Sequence, residues 1–91
     1  MGKLDDKVAI ITGGSGGIGK AAGKRFVEEG GQVMLVDVDE SALMAAVSDI
    51  GEENAAYAVA DVTDSDQTAA YVAATVEKFG GVDIALLNAG I

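Results

Sequence analysis

The chain has 91 residues and a formal net charge of −9, with 49% hydrophobic and 23% charged side chains and neither cysteine nor histidine. A chain of this length makes one small domain, hiding only somewhat more than about 60% of its exposable surface on folding. The acidic balance excludes nucleic acid and anionic membranes as natural partners, and the missing Cys and His exclude disulfides, thiol chemistry, imidazole catalysis and ordinary zinc sites.

Val8–Thr12 is a continuous apolar run and predicts a buried strand. The glycine-rich stretch Gly13–Gly19 follows and opens into a helical pattern. On that helix Ile18, Ala21, Ala22 and Phe26 mark one face, with Lys20, Lys24 and Glu28 on the other. Val33–Asp37 predicts a second buried strand. Leu43, Ala46, Val47 and Ile50 mark the inner face of a second helix that Gly51 ends. Ala55–Ala60 is a weaker third strand. Ala69, Val72, Ala73, Val76 and Phe79 mark a third helix, with Thr63 and Asp66 spaced as its capping box and Gly80-Gly81 as its end. Asp83–Asn88 closes the pattern as a fourth strand.

The string is βαβαβαβ. A full helix between successive strands implies a parallel sheet with right-handed crossovers. The expected strand order is 3-2-1-4, for a sheet that reverses direction after the first strand and leaves a crevice there. The charged start MGKLDD and the lack of any membrane-length apolar run make a cytoplasmic location the expectation, with no membrane partner.

Three phosphate-binding patterns fit the glycine stretch. Gly14, Gly16 and Gly19 satisfy G-x-G-x-x-G; Gly14 and Gly19-Lys20 have NTPase-loop spacing; Thr12-Gly13 with Gly17-Ile18-Gly19 satisfies T-G-x-x-x-G-x-G. All three rest on one physical basis: glycines let backbone N–H groups approach oxygen, and the following helix offers its positive end. The NTPase pattern lacks its magnesium ligand, since Ala21 stands where Ser or Thr is needed. A surface turn without any ligand is the bland alternative. Asp37 favours a dinucleotide, because it ends the second strand where a carboxylate accepts hydrogen bonds from ribose hydroxyls and repels a 2′-phosphate. With no Lys or Arg among Gly14, Ser15 and Gly16, and with Val38 after the acid, NAD is expected over NADP.

These residues resemble the N-terminal half of the classical short-chain dehydrogenases/reductases over essentially the whole chain. Thr12 to Gly19 match T-G-x-x-x-G-I-G, Asp37 falls on the NAD-selecting acid, and Asp61-Val62 match the D-V pair after the third strand. Leu87-Asn88-Ala89-Gly90 match N-N-A-G, with Leu87 in place of the first asparagine. The resemblance implies a Rossmann-type α/β fold with four parallel strands and three helices, truncated relative to the full family fold. Residues 1–91 would form one dinucleotide-binding half-domain.

By this resemblance Gly13, Ser15, Gly17, Ile18 and Gly19 line the pyrophosphate and ribose, with Gly16 beside them in the glycine pattern. Asp61 and Val62 flank adenine, and Asn88, Ala89 and Gly90 lie beside the adenosine ribose. The family's catalytic serine and Tyr-x-x-x-Lys lie further along. Neither Tyr57 nor Tyr71 has a lysine four residues later, so no catalytic residue is assigned and the 91 residues alone are expected to be inactive. The chain would then be the cofactor-binding portion of an NAD-dependent oxidoreductase that transfers hydride between NAD and a hydroxyl or carbonyl substrate. A stand-alone nucleotide-binding module without activity is the alternative. The fourth strand, interior in the family, would be an edge here, and a homodimer through Asp83–Asn88 is expected.

Overall fold

The computed structural model describes residues 5–13, 16–61 and 64–87. Along the chain these form β1 (Val8–Thr12), α1 (Gly17–Glu28), β2 (Gln32–Asp37), α2 (Glu40–Ile50), β3 (Ala55–Val59), α3 (Ser65–Phe79) and β4 (Ile84–Leu87). The strands make one sheet in the order β3-β2-β1-β4, with every pairing parallel. The expected 3-2-1-4 order is therefore the observed one. The fourth strand begins one residue later than expected, after Asp83, and Asn88 lies outside the described residues.

Continuous apolar runs produce this sheet because β1 and β2 are covered on both faces. All five residues of β1 are buried. On one face Ala9, Ile11, Val33, Leu35 and Ala55 meet Phe26 of α1 and Leu43, Ala46 and Val47 of α2. On the other, Ile10, Met34 and Val36 meet Tyr71 of α3. The register sets Ile10 beside Met34 and Ile11 beside Leu35, so each face presents a flush apolar row.

Helix α2 buries the side the spacing indicated, Leu43, Ala46 and Val47, and Gly51 ends it by donating its N–H to the Val47 carbonyl at 2.8 Å. The other two helices differ from expectation. In α1 the buried positions are Gly19, Gly23 and Phe26, while Ile18 is 77% exposed. The helix approaches the sheet on its glycines: a Cβ on Gly23 would lie 3.2 Å from both Leu35 Cδ2 and Ile50 Cδ1. That close approach turns Ile18, one residue round from Gly19, out toward solvent.

In α3 the buried residues are Tyr71 and Thr75, with Val72 and Val76 38% and 46% exposed. The helix carries two stripes of moderate apolarity. The aromatic one wins because a single Tyr ring removes more apolar area from water than a valine. The Thr75 hydroxyl donates to the Tyr71 carbonyl at 2.7 Å, so burying it leaves no polar group unmet. The cap also moves by one residue. Asp64, not Thr63, is the N-cap, and its carboxylate accepts the N–H groups of Asp66 at 2.9 Å and Gln67 at 3.3 Å. A carboxylate accepts such bonds more strongly than a hydroxyl and also complements the helix dipole.

Candidate functional site

The C-terminal ends of β1, β2 and β3 lie side by side, and the residues that follow them form the edge where a parallel sheet of this order binds ligands. The β1 end is anchored by Thr12, which is buried and donates its hydroxyl to the Leu86 carbonyl of β4 at 3.3 Å. Gly13 then leaves the strand with φ 68°, a left-handed conformation that glycine adopts without strain. The Gly13 carbonyl accepts the Gly16 N–H at 3.1 Å, which closes the loop onto the start of α1.

The start of α1 differs from the other two helix starts. Asp39 caps α2, accepting the Ala42 N–H at 3.1 Å, and Asp64 caps α3. Gly16 caps α1 with no side-chain hydrogen bond, and no acidic residue stands in the first turn. Gly16 and Gly17 are exposed, Gly19 is buried, and a Cβ on Gly17 would meet nothing within 4 Å. The helix start thus combines a glycine cap, no side-chain hydrogen bond and room above Gly17 at the positive end of the helix. That arrangement fits an anionic phosphate.

Lys20 does not reach toward this space. Its ammonium pairs with Asp49 of α2 at 3.2 Å, and that contact, first as a hydrogen bond and then as a charge, holds the Asp49 carboxyl below its usual value. A nucleotide-triphosphate loop needs its lysine on the phosphates, so Lys20 and Ala21 both speak against that pattern.

Asp37 ends β2 half-buried, and one of its carboxylate oxygens accepts the Val38 N–H at 2.7 Å. Its carbonyl accepts the Ala60 N–H at 2.9 Å, which brings the β3 end, with Asp61, beside it. Ile18 and Val38, 77% and 66% exposed, add apolar surface to this edge. Beyond it, the Tyr57 hydroxyl donates to the Glu40 carboxylate at 3.0 Å, and this bond pushes the Tyr57 pKa up.

Of the residues assigned from sequence, Gly13, Gly16, Gly17, Ile18, Gly19, Asp37 and Asp61 thus occupy one edge of the sheet. Ser15, Val62, Asn88, Ala89 and Gly90 lie outside the described residues. Sequence reading missed Gln67, which joins this edge to α3, and the Tyr57–Glu40 bond just beyond it. Gln67 accepts the Asp61 N–H at 2.7 Å, and its signal was present as the Asp64-x-x-Gln67 capping spacing. Among the described residues no cluster of three or more Asp, Glu, His or Cys is placed to hold a metal.

The sequence pattern of the family described as short chain dehydrogenase matches residues 7–91. An uncharacterized oxidoreductase of Mycobacterium bovis is 44% identical over 89 residues, which are 97% of this chain and 36% of that protein. The crystal structure of a short chain dehydrogenase from Bacillus anthracis superposes with a TM-score of 0.89 at 34% identity, over 94% of this chain and 35% of its own. A 3-ketoacyl-(acyl-carrier-protein) reductase from Brucella melitensis, solved in complex with NADH, superposes with a TM-score of 0.87 at 37% identity, over 91% of this chain and 34% of its own. The chain thus spans about a third of the length of the relatives it matches. A nicotinamide dinucleotide is the cofactor that goes with this family. With its glycine loop, its parallel sheet of order 3-2-1-4 and the match over residues 7–91, the chain belongs to the short-chain dehydrogenase family.

Proposed function

We propose that residues 1–91 form one dinucleotide-binding half-domain, the NAD-binding portion of a cytoplasmic oxidoreductase that moves hydride between NAD and a hydroxyl or carbonyl substrate. The observation that carries this reading is the pairing of a glycine-capped helix start, without a side-chain cap bond, behind Gly13 with the Asp37 carboxylate at the end of the neighbouring strand. The first attracts a pyrophosphate; the second accepts hydrogen bonds from the two hydroxyls of an adenosine ribose. When bound, NAD supplies the hydride-accepting ring. The chain's own residues bind and orient it: Gly13, Ser15, Gly16, Gly17, Ile18 and Gly19 along the pyrophosphate and ribose, Asp61 and Val62 at adenine, and Asn88, Ala89 and Gly90 beside the adenosine ribose.

NAD is preferred to NADP in this reading, because the Asp37 carboxylate repels a 2′-phosphate and the neighbouring Val38 offers no positive charge. Calorimetric titration with both dinucleotides tests it. Saturable NAD binding, weaker NADP binding and loss of NAD affinity in Asp37→Ala are the expected results. Unchanged NAD affinity in that variant overturns the assignment of Asp37.

A second copy of the chain is the proposed protein partner. Among the described residues β4 pairs only with β1, and Leu86 is 43% exposed. An outer strand with apolar side chains invites edge pairing, most simply as a two-fold dimer. No helix among the described residues is long and apolar enough to cross a membrane.

A further inference from the structure

We propose that the outer edge of β3 is a docking site for an extended, basic segment of a partner protein. The segment adds a strand to the sheet and sets alternate side chains into hollows beside α3. The inference is independent of the dinucleotide reading and uses none of the residues assigned to the cofactor.

Among the described residues β3 pairs only with β2, so one of its sides is open. At the two ends of that pairing the Val33 N–H donates to the Asn54 carbonyl and the Ala60 N–H to the Asp37 carbonyl, each at 2.9 Å. Backbone direction alternates along a strand, so Asn54, Ala56, Ala58 and Ala60 face β2. The N–H and C=O groups of Ala55, Tyr57 and Val59 therefore face outward. Sheet edges are ordinarily guarded by a charge, a proline or a bulge. The AAYAV run of β3 carries neither charge nor proline, and it pairs with β2 without a break.

Two hollows adjoin along this edge on the α3 face. One, of about 530 Å³, is lined by Met34, Ala56, Tyr57, Ala74, Glu77 and Lys78. The other, of about 240 Å³, takes in Ala58, Ala60, Gln67 and Ala70 and shares Ala74 with the first. They exist because alanines stand on both walls, Ala56, Ala58 and Ala60 on the strand and Ala70 and Ala74 on the helix. Ala56 lines the first hollow and Ala58 the second, which is the two-residue step at which a strand places side chains on one face. An added strand would offer its i and i+2 side chains to the two hollows, and alternate pockets are how strand addition gains specificity.

Charge decides which segment fits. Glu77 stands at the first hollow, Glu40 is bonded to the Tyr57 hydroxyl at 3.0 Å, and the exposed Glu52 and Glu53 precede the strand. Lys78 is the cation among the lining residues. A second copy of this chain brings the same glutamates and a net charge of −9 against them. A segment alternating apolar and basic residues instead meets both the alanine-lined hollows and the acidic rim.

Hydrogen exchange of the backbone amides, with and without short capped peptides, tests this. The probe alternates lysine and valine; the comparison peptides alternate glutamate with valine, or lysine with glycine. The lysine–valine peptide is expected to slow exchange at Tyr57 and Val59 and to bind about tenfold tighter than either comparison peptide. Ala74→Phe fills the space the two hollows share and should weaken that binding about tenfold, the worth of a valine side chain left in water. Glu77→Lys should weaken it about twofold to fivefold, and less at high salt. Ala73→Phe, at an exposed position of α3 that lines neither hollow, should leave it unchanged. Melting each variant checks that it folds. Equal binding of all the peptides, unaltered exchange at Tyr57 and Val59, or parental binding in both Ala74→Phe and Glu77→Lys overturns the inference. Protection of those two amides that grows with protein concentration in the absence of peptide also overturns it, by making a second copy the occupant.

Discussion

The Asp83 carboxylate accepts the Val8 N–H at 2.9 Å, and the Asp83 N–H donates to the Val8 carbonyl at 2.8 Å. This reciprocal pair joins the first residue of β1 to the residue before β4, 75 positions apart in the chain. It sets the strand starts level, so that Ala9 pairs with Ile84 and the rest of the register follows. Val8 is 3% exposed, so its N–H has little access to water once the carboxylate is gone. Asp83→Ala is expected to destabilise the fold by about 1–3 kcal/mol. Thermal melting checks this, since each kcal/mol moves the midpoint of a domain this size by about 4–8 °C.

Gly23 lets α1 lie close against the sheet. A Cβ there would sit 3.2 Å from the methyl ends of Leu35 and Ile50. Leu35 is fully buried and Ile50 half-buried, so only one of the two has room to turn. Gly23→Ala gains about 1 kcal/mol of helix propensity against this crowding and is expected to fall within about 1 kcal/mol of neutral. Gly23→Val adds two further methyl groups and should cost about 2–3 kcal/mol. Urea unfolding of the two variants separates these outcomes, and a valine variant as stable as the parent would show that the helix can lift from the sheet.

Lys20 and Asp49 tie α1 to α2 with a pH dependence of known sign. The lysine lowers the Asp49 pKa in the folded chain relative to the unfolded one. The ion pair therefore contributes above the ordinary aspartate value of about 3.9 and is lost as pH falls through the lower folded value. Both side chains are more than 40% exposed, so the effect is small and weakens with added salt. Urea midpoints of the parent and Asp49→Asn should differ at neutral pH and converge on acidification. A constant difference across the acid range would assign it to something other than this charge pair.

If β4 mediates self-association, a charge on it should reverse it. Leu86 is exposed and points to the face of the sheet that carries α1, beside Ile11 in the register. Leu86→Lys is expected to shift the chain to monomer in light scattering with little loss of stability, because lysine is the usual guard of a sheet edge. Equal association in parent and variant would place the contact elsewhere.

Much of the site was legible because its parts are local. The strand–glycine–helix sequence Val8–Gly19 and the acid at the end of the next strand are read from spacing alone, since a backbone cradle and a strand-end carboxylate depend on few distant contacts. Gln67 was less legible. Its bond to Asp61 bridges a turn, and the capping pattern predicted one residue earlier put attention on Thr63 and Asp66. A Ser or Thr and an Asp are both good caps, and only the path of the turn selects between neighbours.

The sequence by itself determined the element order, a parallel sheet, the inner face of α2 and a glycine-rich turn after the first strand, while the reversal that gives order 3-2-1-4 came from the structure. Continuous Val, Ile and Leu runs separated by helix-length segments allow few other folds. Only the tertiary structure decided which stripe of α3 faces the sheet, that Ile18 turns outward, and that Lys20 pairs with Asp49. Each of these is a competition between nearly equal local choices. Close packing across the sheet, through the Gly23 contact and the buried Tyr71 ring, settles them where helical spacing gives two answers.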